Sequence, residues 1–229
     1  LFFILFATTI FAQGETKLPK FKHIQFQLEN GLQVVLVEDK STPIVSVNVW
    51  YHVGSKNEVK GRTGFAHLFE HMMFQGSRFY NDDYGKPIQE AGGGLNGSTN
   101  TDRTRFYEIL PSNFLEMALY LEAGRMGTLL DVTNQQRLDN QRSVVKNERR
   151  QDVDNRPYGT AFEKIYSLMF PKNHPYHWRV IGSMEDLNAA SLSDVKSFFK
   201  TYYAPNNASL RFFGLDLFNR DKSGFSLAY

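Results

Sequence analysis

Glu29-Asn30-Gly31 stands between two apolar runs, His23 to Leu28 (HIQFQL) and Leu32 to Val37 (LQVVLV), and constrains the fold more than any other stretch of the chain. An Asn-Gly pair supplies the positive φ angles of a tight turn, so the two runs are expected to pair antiparallel as a hairpin. A third run, Ile44 to Val53 (IVSVNVWYHV), places Val45, Val47 and Val49 on one side and reads as a strand with one buried face. A chain that opens on an antiparallel sheet needs something apolar to cover it, and helical patterns follow.

Thr63 to Phe74 reads as a helix with Phe65, Leu68, Phe69, Met72 and Met73 available for packing. Tyr84 to Ala91 gives a short helix closed by Gly92, Gly93 and Gly94. Leu95 to Thr101 (LNGSTNT) is extended and poor in apolar residues, as an exposed edge strand is, and Thr104 to Leu110 is expected to pair behind it. The next block is helical. Ser112 or Asn113 can cap a helix running to about Gly124, Thr133 with Gln136 forms a capping box for a second, Pro157 to Phe170 gives a third and Ser191 to Tyr202 a fourth. Ala208 to Gly214 closes the pattern as a last strand. The expected class is α+β, a mostly antiparallel sheet with helices packed on it.

The ends read differently. Residues 1–13 are uncharged, apolar at Leu1 to Phe6 and small-residued before Gln13, which is the pattern of the later part of a secretory signal without its basic start. That implies a secreted or periplasmic protein; the run is too short for a stable transmembrane span. Leu215 to Tyr229 has no clear period and is set aside as a tail of uncertain character.

Composition narrows the chemistry. With no Cys among 229 residues there are no disulfides, thiolate nucleophiles or sulfur-bound metals, so any metal falls to His, Asp or Glu. A balance of 26 basic and 24 acidic residues leaves a net charge of +2, and nucleic acid is not an expected partner.

Within the first helix stands His67-Leu68-Phe69-Glu70-His71. Positions i and i+4 share a helical face, so both imidazoles can reach one ion, and the neighbouring Glu70 can take a proton from metal-bound water. A catalytic zinc normally has three protein ligands. The best candidate for the third is Glu148, because Leu138, Gln141, Val144, Val145 and Glu148 recur at helical spacing and place that carboxylate on an otherwise inward stripe, whereas Lys146, Arg149 and Arg150 are expected to be solvated. His23, His52, His174 and His177 lack comparable spacing and are read as structural or surface residues.

The His67-x-x-Glu70-His71 pattern, with 76 residues between His71 and Glu148, resembles the inverted zinc motif of the pitrilysin and insulinase family, which includes the mitochondrial processing peptidases. The resemblance runs from about Phe21 to Gly214 and includes Gly61-Arg62-Thr63-Gly64, the Asn96 strand and Val144-Val145-Lys146-Asn147-Glu148-Arg149-Arg150. It implies that residues 20–214 form an N-terminal peptidase domain, that His67, His71 and Glu148 bind one Zn²⁺, and that Glu70 is the general base of a zinc-dependent endopeptidase acting on peptides or unfolded polypeptides. It implies a substrate extended along the edge strand, against Leu95, Asn96 and Gly97. Family enzymes commonly carry an acid where this chain has Gln141, which would support the site by hydrogen bonding instead. The family is built from two homologous halves, so a second half in the same chain or as a partner subunit is implied. The main alternative is a non-catalytic binding partner subunit, against which the motif is intact. A related small-molecule lyase uses a Cys ligand that this chain lacks.

Overall fold

The structure is a computed structural model that describes residues 22–214; the signal-like run at 1–13 and the tail at 215–229 lie outside the described residues. Among the described residues six strands form one sheet: β1 (His23–Gln27), β2 (Gln33–Glu38), β3 (Ile44–Tyr51), β4 (Gly94–Thr99), β5 (Thr104–Pro111) and β6 (Ala208–Gly214). Their order is β1-β2-β6-β3-β5-β4, and every neighbouring pair is antiparallel except β2 with β6. The hairpin expected at Asn30-Gly31 is present, with Gly31 at φ 90° and His23 opposite Val37. The α+β class is as the sequence suggests.

Alternation sets which face is buried. Val34 and Leu36, Val45, Val47, Val49 and Tyr51, Phe106 and Leu110, and Leu210 and Phe212 all point into one core. Among the described residues, seven helices accompany the sheet: α1 (Phe65–Met72), α2 (Gly85–Glu90), α3 (Leu115–Val132), α4 (Gln135–Arg149), α5 (Ala161–Met169), α6 (Met184–Ala189) and α7 (Leu192–Tyr202). The amphipathic face of α1 supplies Phe65, Leu68, Phe69 and Met72 to the core, and α7 adds Val195 and Phe199. A fully buried Arg125 on α3 stacks 4.2 Å from the Phe106 ring centroid and 4.3 Å from that of Tyr84, and pairs with Glu122 and Glu108, tying α3 to β5.

Several helix boundaries differ from the sequence reading, each for a local reason. The helix expected from Ser112 or Asn113 to Gly124 begins with one 3₁₀ turn, Ser112–Phe114, and continues to Val132. Gly124 does not stop it; it is where α3 passes Ser77, whose Oγ lies 2.7 Å from the place a Cβ would occupy. The Thr133 and Gln136 capping box is not formed. Thr133 Oγ1 instead donates back to Leu129 O at 2.9 Å, and Asn134 caps α4 by accepting from Arg137 N at 3.0 Å. The helix expected from Pro157 starts at Ala161, because α4 runs on through a π turn at Arg150–Asp154 and the chain reverses with Tyr158 at φ 59°. The short α6, absent from the sequence reading, is announced by Ser183, whose Oγ accepts from Asp186 N.

Candidate metal centre

The first helix of the site is fixed at its start. Gly64 holds a left-handed φ of 87° just ahead of α1, and the buried Glu58 accepts from Gly64 N (3.0 Å) and Ala66 N (2.9 Å), satisfying amides that α1 leaves free. One turn on, His67 and His71 project from the same face with their Nε2 atoms 3.4 Å apart. The last turn of α4 brings Glu148 to them: its Oε2 is 3.6 Å from His67 Nε2 and 3.3 Å from His71 Nε2. These are the three residues among the described ones whose ligand atoms converge as a possible metal group.

The triangle they make has the size an ion requires. Three corners of a tetrahedron with bonds of about 2.0 to 2.1 Å lie about 3.3 to 3.4 Å apart, which is close to the spacing here. Two imidazole nitrogens and one carboxylate oxygen form a donor set that zinc accepts, leaving a fourth position open. Burial pushes the His67 imidazole down to about 4, with His71 adding to the shift, so it stays in the neutral form that ligates metals.

Glu70 lies on the same helix and lines the same cleft as His67. Its Oε2 accepts from Thr99 Oγ1 at 2.5 Å, and Gly97 of β4 lies so close that a Cβ there would sit 3.0 Å from Glu70 Oε1. Burial raises the Glu70 carboxyl above its ordinary range; the Thr99 bond and the nearby His71 oppose the shift and Glu148 adds to it. A carboxylate moved toward neutrality is a better proton acceptor at ordinary pH.

The other sequence-derived residues are placed as follows. β4 is an edge strand as expected. Leu95 packs partly against the core, Asn96 is exposed with Oδ1 accepting from Gly97 N at 2.8 Å, and Gly97 faces Glu70. Gln141 is half-buried two turns before Glu148 and, among the described residues, makes no hydrogen bond to the triad. The stripe on α4 is narrower than its spacing suggests: Leu138 and Val145 are fully buried but Val144 is 41% exposed. Arg149, expected in solvent, is instead held by Glu163 and the Gly182 carbonyl. The sequence reading missed the far wall of the cleft, a space of about 820 Å³ bounded by Val153, Arg156, Tyr158, Phe162 and Arg179. Its only local signal is the turn-forming Asn155-Arg156-Pro157-Tyr158-Gly159.

Residues 33–177 match the model of the family described as Insulinase (Peptidase family M16). The chain belongs to this family. Among M16 relatives, the zinc protease PqqE of Helicobacter pylori is 37% identical over 85% of the chain and 43% of its own length. The mitochondrial-processing peptidase subunit beta of Blastocladiella emersonii is 26% identical over 77% of the chain and 37% of its own. A crystal structure of a protease from Helicobacter pylori superposes with a TM-score of 0.83 at 35% identity, over 90% of the chain and 49% of that protein. The first half of the periplasmic protease PqqL from Escherichia coli gives a TM-score of 0.77 at 22% identity, a likeness of fold, over 92% of the chain and 46% of that half. This M16 chain therefore spans less than half the length of these relatives. Among its described residues, no helix is long and apolar enough to cross a membrane.

Proposed function

We propose that the chain is the metal-bearing part of a zinc-dependent endopeptidase, and the observation that carries this is the convergence of His67, His71 and Glu148 beside Glu70. His67 and His71 would hold the ion from α1 and Glu148 from α4. Bound there, zinc would supply Lewis-acid chemistry, polarising a scissile carbonyl and lowering the pKa of the attacking water. Glu70 takes the proton of that water and passes it to the leaving amine nitrogen. Thr99 keeps Glu70 aimed by donating to Oε2, leaving Oε1 for the proton.

The substrate is an extended peptide that adds alongside β4, with Leu95, Asn96 and Gly97 beneath it. An edge strand and one cleft wall hold a peptide loosely, and orientation is worth up to roughly 7 to 11 kcal/mol of a barrier. A homologous second half, in the same chain or as a partner subunit, completes the grip. Relatives about twice as long support this reading. The signal-like start of the sequence and the likeness to a periplasmic protease favour a periplasmic or secreted setting. A role as a binding subunit alone is disfavoured by the intact set of donors.

The test is Glu70→Gln, assayed with the homologous half supplied. An amide cannot accept the proton, so peptide hydrolysis should fall by at least about 10²-fold while zinc content stays at the wild-type level. Near-normal turnover by the zinc-loaded variant would remove Glu70 from its role.

A further inference from the structure

Arg149 follows Glu148 directly, yet its side chain is only 12% exposed. Its Nη1 donates to Glu163 Oε1 on α5 at 2.6 Å and to the Gly182 carbonyl at 2.5 Å, with Asp154 3.4 Å from Nη2. Gly182 in turn lies against the start of α1. A Cβ on it would fall 2.5 Å from Gly64 N, Gly64 Cα and Thr63 O, and its φ of 71° is one that glycine adopts freely. Just beyond, Ser183 N donates to Thr63 Oγ1 at 3.1 Å, while Asp186 Oδ2 accepts from Thr63 N at 3.0 Å and from Thr63 Oγ1 at 2.5 Å.

The stretch 182–186 thus touches the residue after Glu148 at one end and the two residues before α1 at the other. It spans the two helices whose ligands must meet. Besides the direct packing of α1 on α4, this stretch is a polar link between them, and a metal site tolerates only about 0.5 Å of error in its ligands. A guanidinium suits the task, since its planar fork can serve a carboxylate and a carbonyl together in a fixed geometry, whereas an ammonium is a point donor on a flexible stem.

We propose that Arg149 is a positioning residue for the metal centre: by gripping Gly182, which is packed on Gly64, it sets the distance of Glu148 from His67 and His71. This rests on the reading of those three residues as the metal ligands. It differs from a purely structural role, in which Arg149 would only fasten α5 through Glu163.

The experiment compares the purified chain with Arg149→Lys, Arg149→Met and Glu163→Gln. Zinc Kd is measured by chelator competition, the visible absorption of the Co²⁺-loaded protein reports coordination geometry, and the Tm of each metal-free form reports the fold. Arg149→Lys and Arg149→Met should weaken zinc by about 10- to 100-fold, the range for residues that orient ligands, and should alter the Co²⁺ spectrum. Glu163→Gln keeps the Gly182 contact and should shift Kd by less than about threefold, on the same reasoning. Unchanged zinc affinity in both Arg149 variants, or an equal loss in Glu163→Gln, would overturn the positioning role while leaving the metal ligands standing. A wild-type chain that binds no zinc would overturn the ligand reading itself. Should Arg149→Met fail to fold, Arg149→Lys and Glu163→Gln still decide.

Discussion

Burial holds His67 neutral down to about pH 4, against 6.5 for a free imidazole, and that difference has a sign. Between those values the unfolded chain carries a proton on this histidine that the folded chain does not, so stability rises with pH across the window and is lost as pH falls from 6.5 toward 4. The contribution is about 3 kcal/mol over the full window. Metal-free chain should accordingly show a falling urea midpoint from pH 6.5 to 4, and His67→Gln should flatten part of that fall; parallel profiles for the two proteins would contradict it. At this scale the candidate site was unevenly legible. His67, Glu70 and His71 declare themselves because their chemistry is local to one helical turn, and Glu148 because its neighbours Leu138 and Val145 recur at helical spacing. Arg149 looked like one more surface charge, since its partners Glu163 and Gly182 stand 14 and 33 residues away.

The edge strand β4 shows what an element adds to the side chains it carries. Gly97 lets the strand lie against Glu70, where a side chain would meet Oε1, Cγ and the ring of Phe74 at 3.0 to 3.1 Å. Gly97→Val should displace Glu70 or push β4 outward, lowering peptide kcat/KM by more than about tenfold with zinc content unchanged, since a misplacement of about 1 Å can cost 10²-fold. Activity equal to wild type in the same assay would show that the close approach is incidental. Strands were the most readable elements, because alternation and the Asn30-Gly31 turn are short-range signals. Helix limits were less so: Asn134 rather than Thr133 caps α4, and Gly124 marks a close crossing at Ser77 where composition suggested an end. Six-residue α6 has too few turns to show a period, although Ser183 and Asp186 do mark its start.

At the scale of the molecule, the parallel pair β2 with β6 closes the fold, and it was beyond the reach of local pattern. Val34 faces Leu210 across more than 170 residues of chain, and what seats β6 between β2 and β3 is the burial of Leu210 and Phe212 on the face shared with Val47 and Val49. The same closure packs α7 and α1 on one core and so carries His67 and His71 to meet Glu148 from α4. An ion held by both helices would stabilise the folded chain by mass action, because the unfolded chain offers no preformed triangle. Zinc content after dialysis, by elemental analysis of the wild-type chain and of His71→Ala, tests the centre most directly. The geometry predicts about one zinc per wild-type chain, as one three-ligand site would hold, and almost none in the variant. A wild-type chain without zinc, or a variant that keeps it, would contradict the assignment.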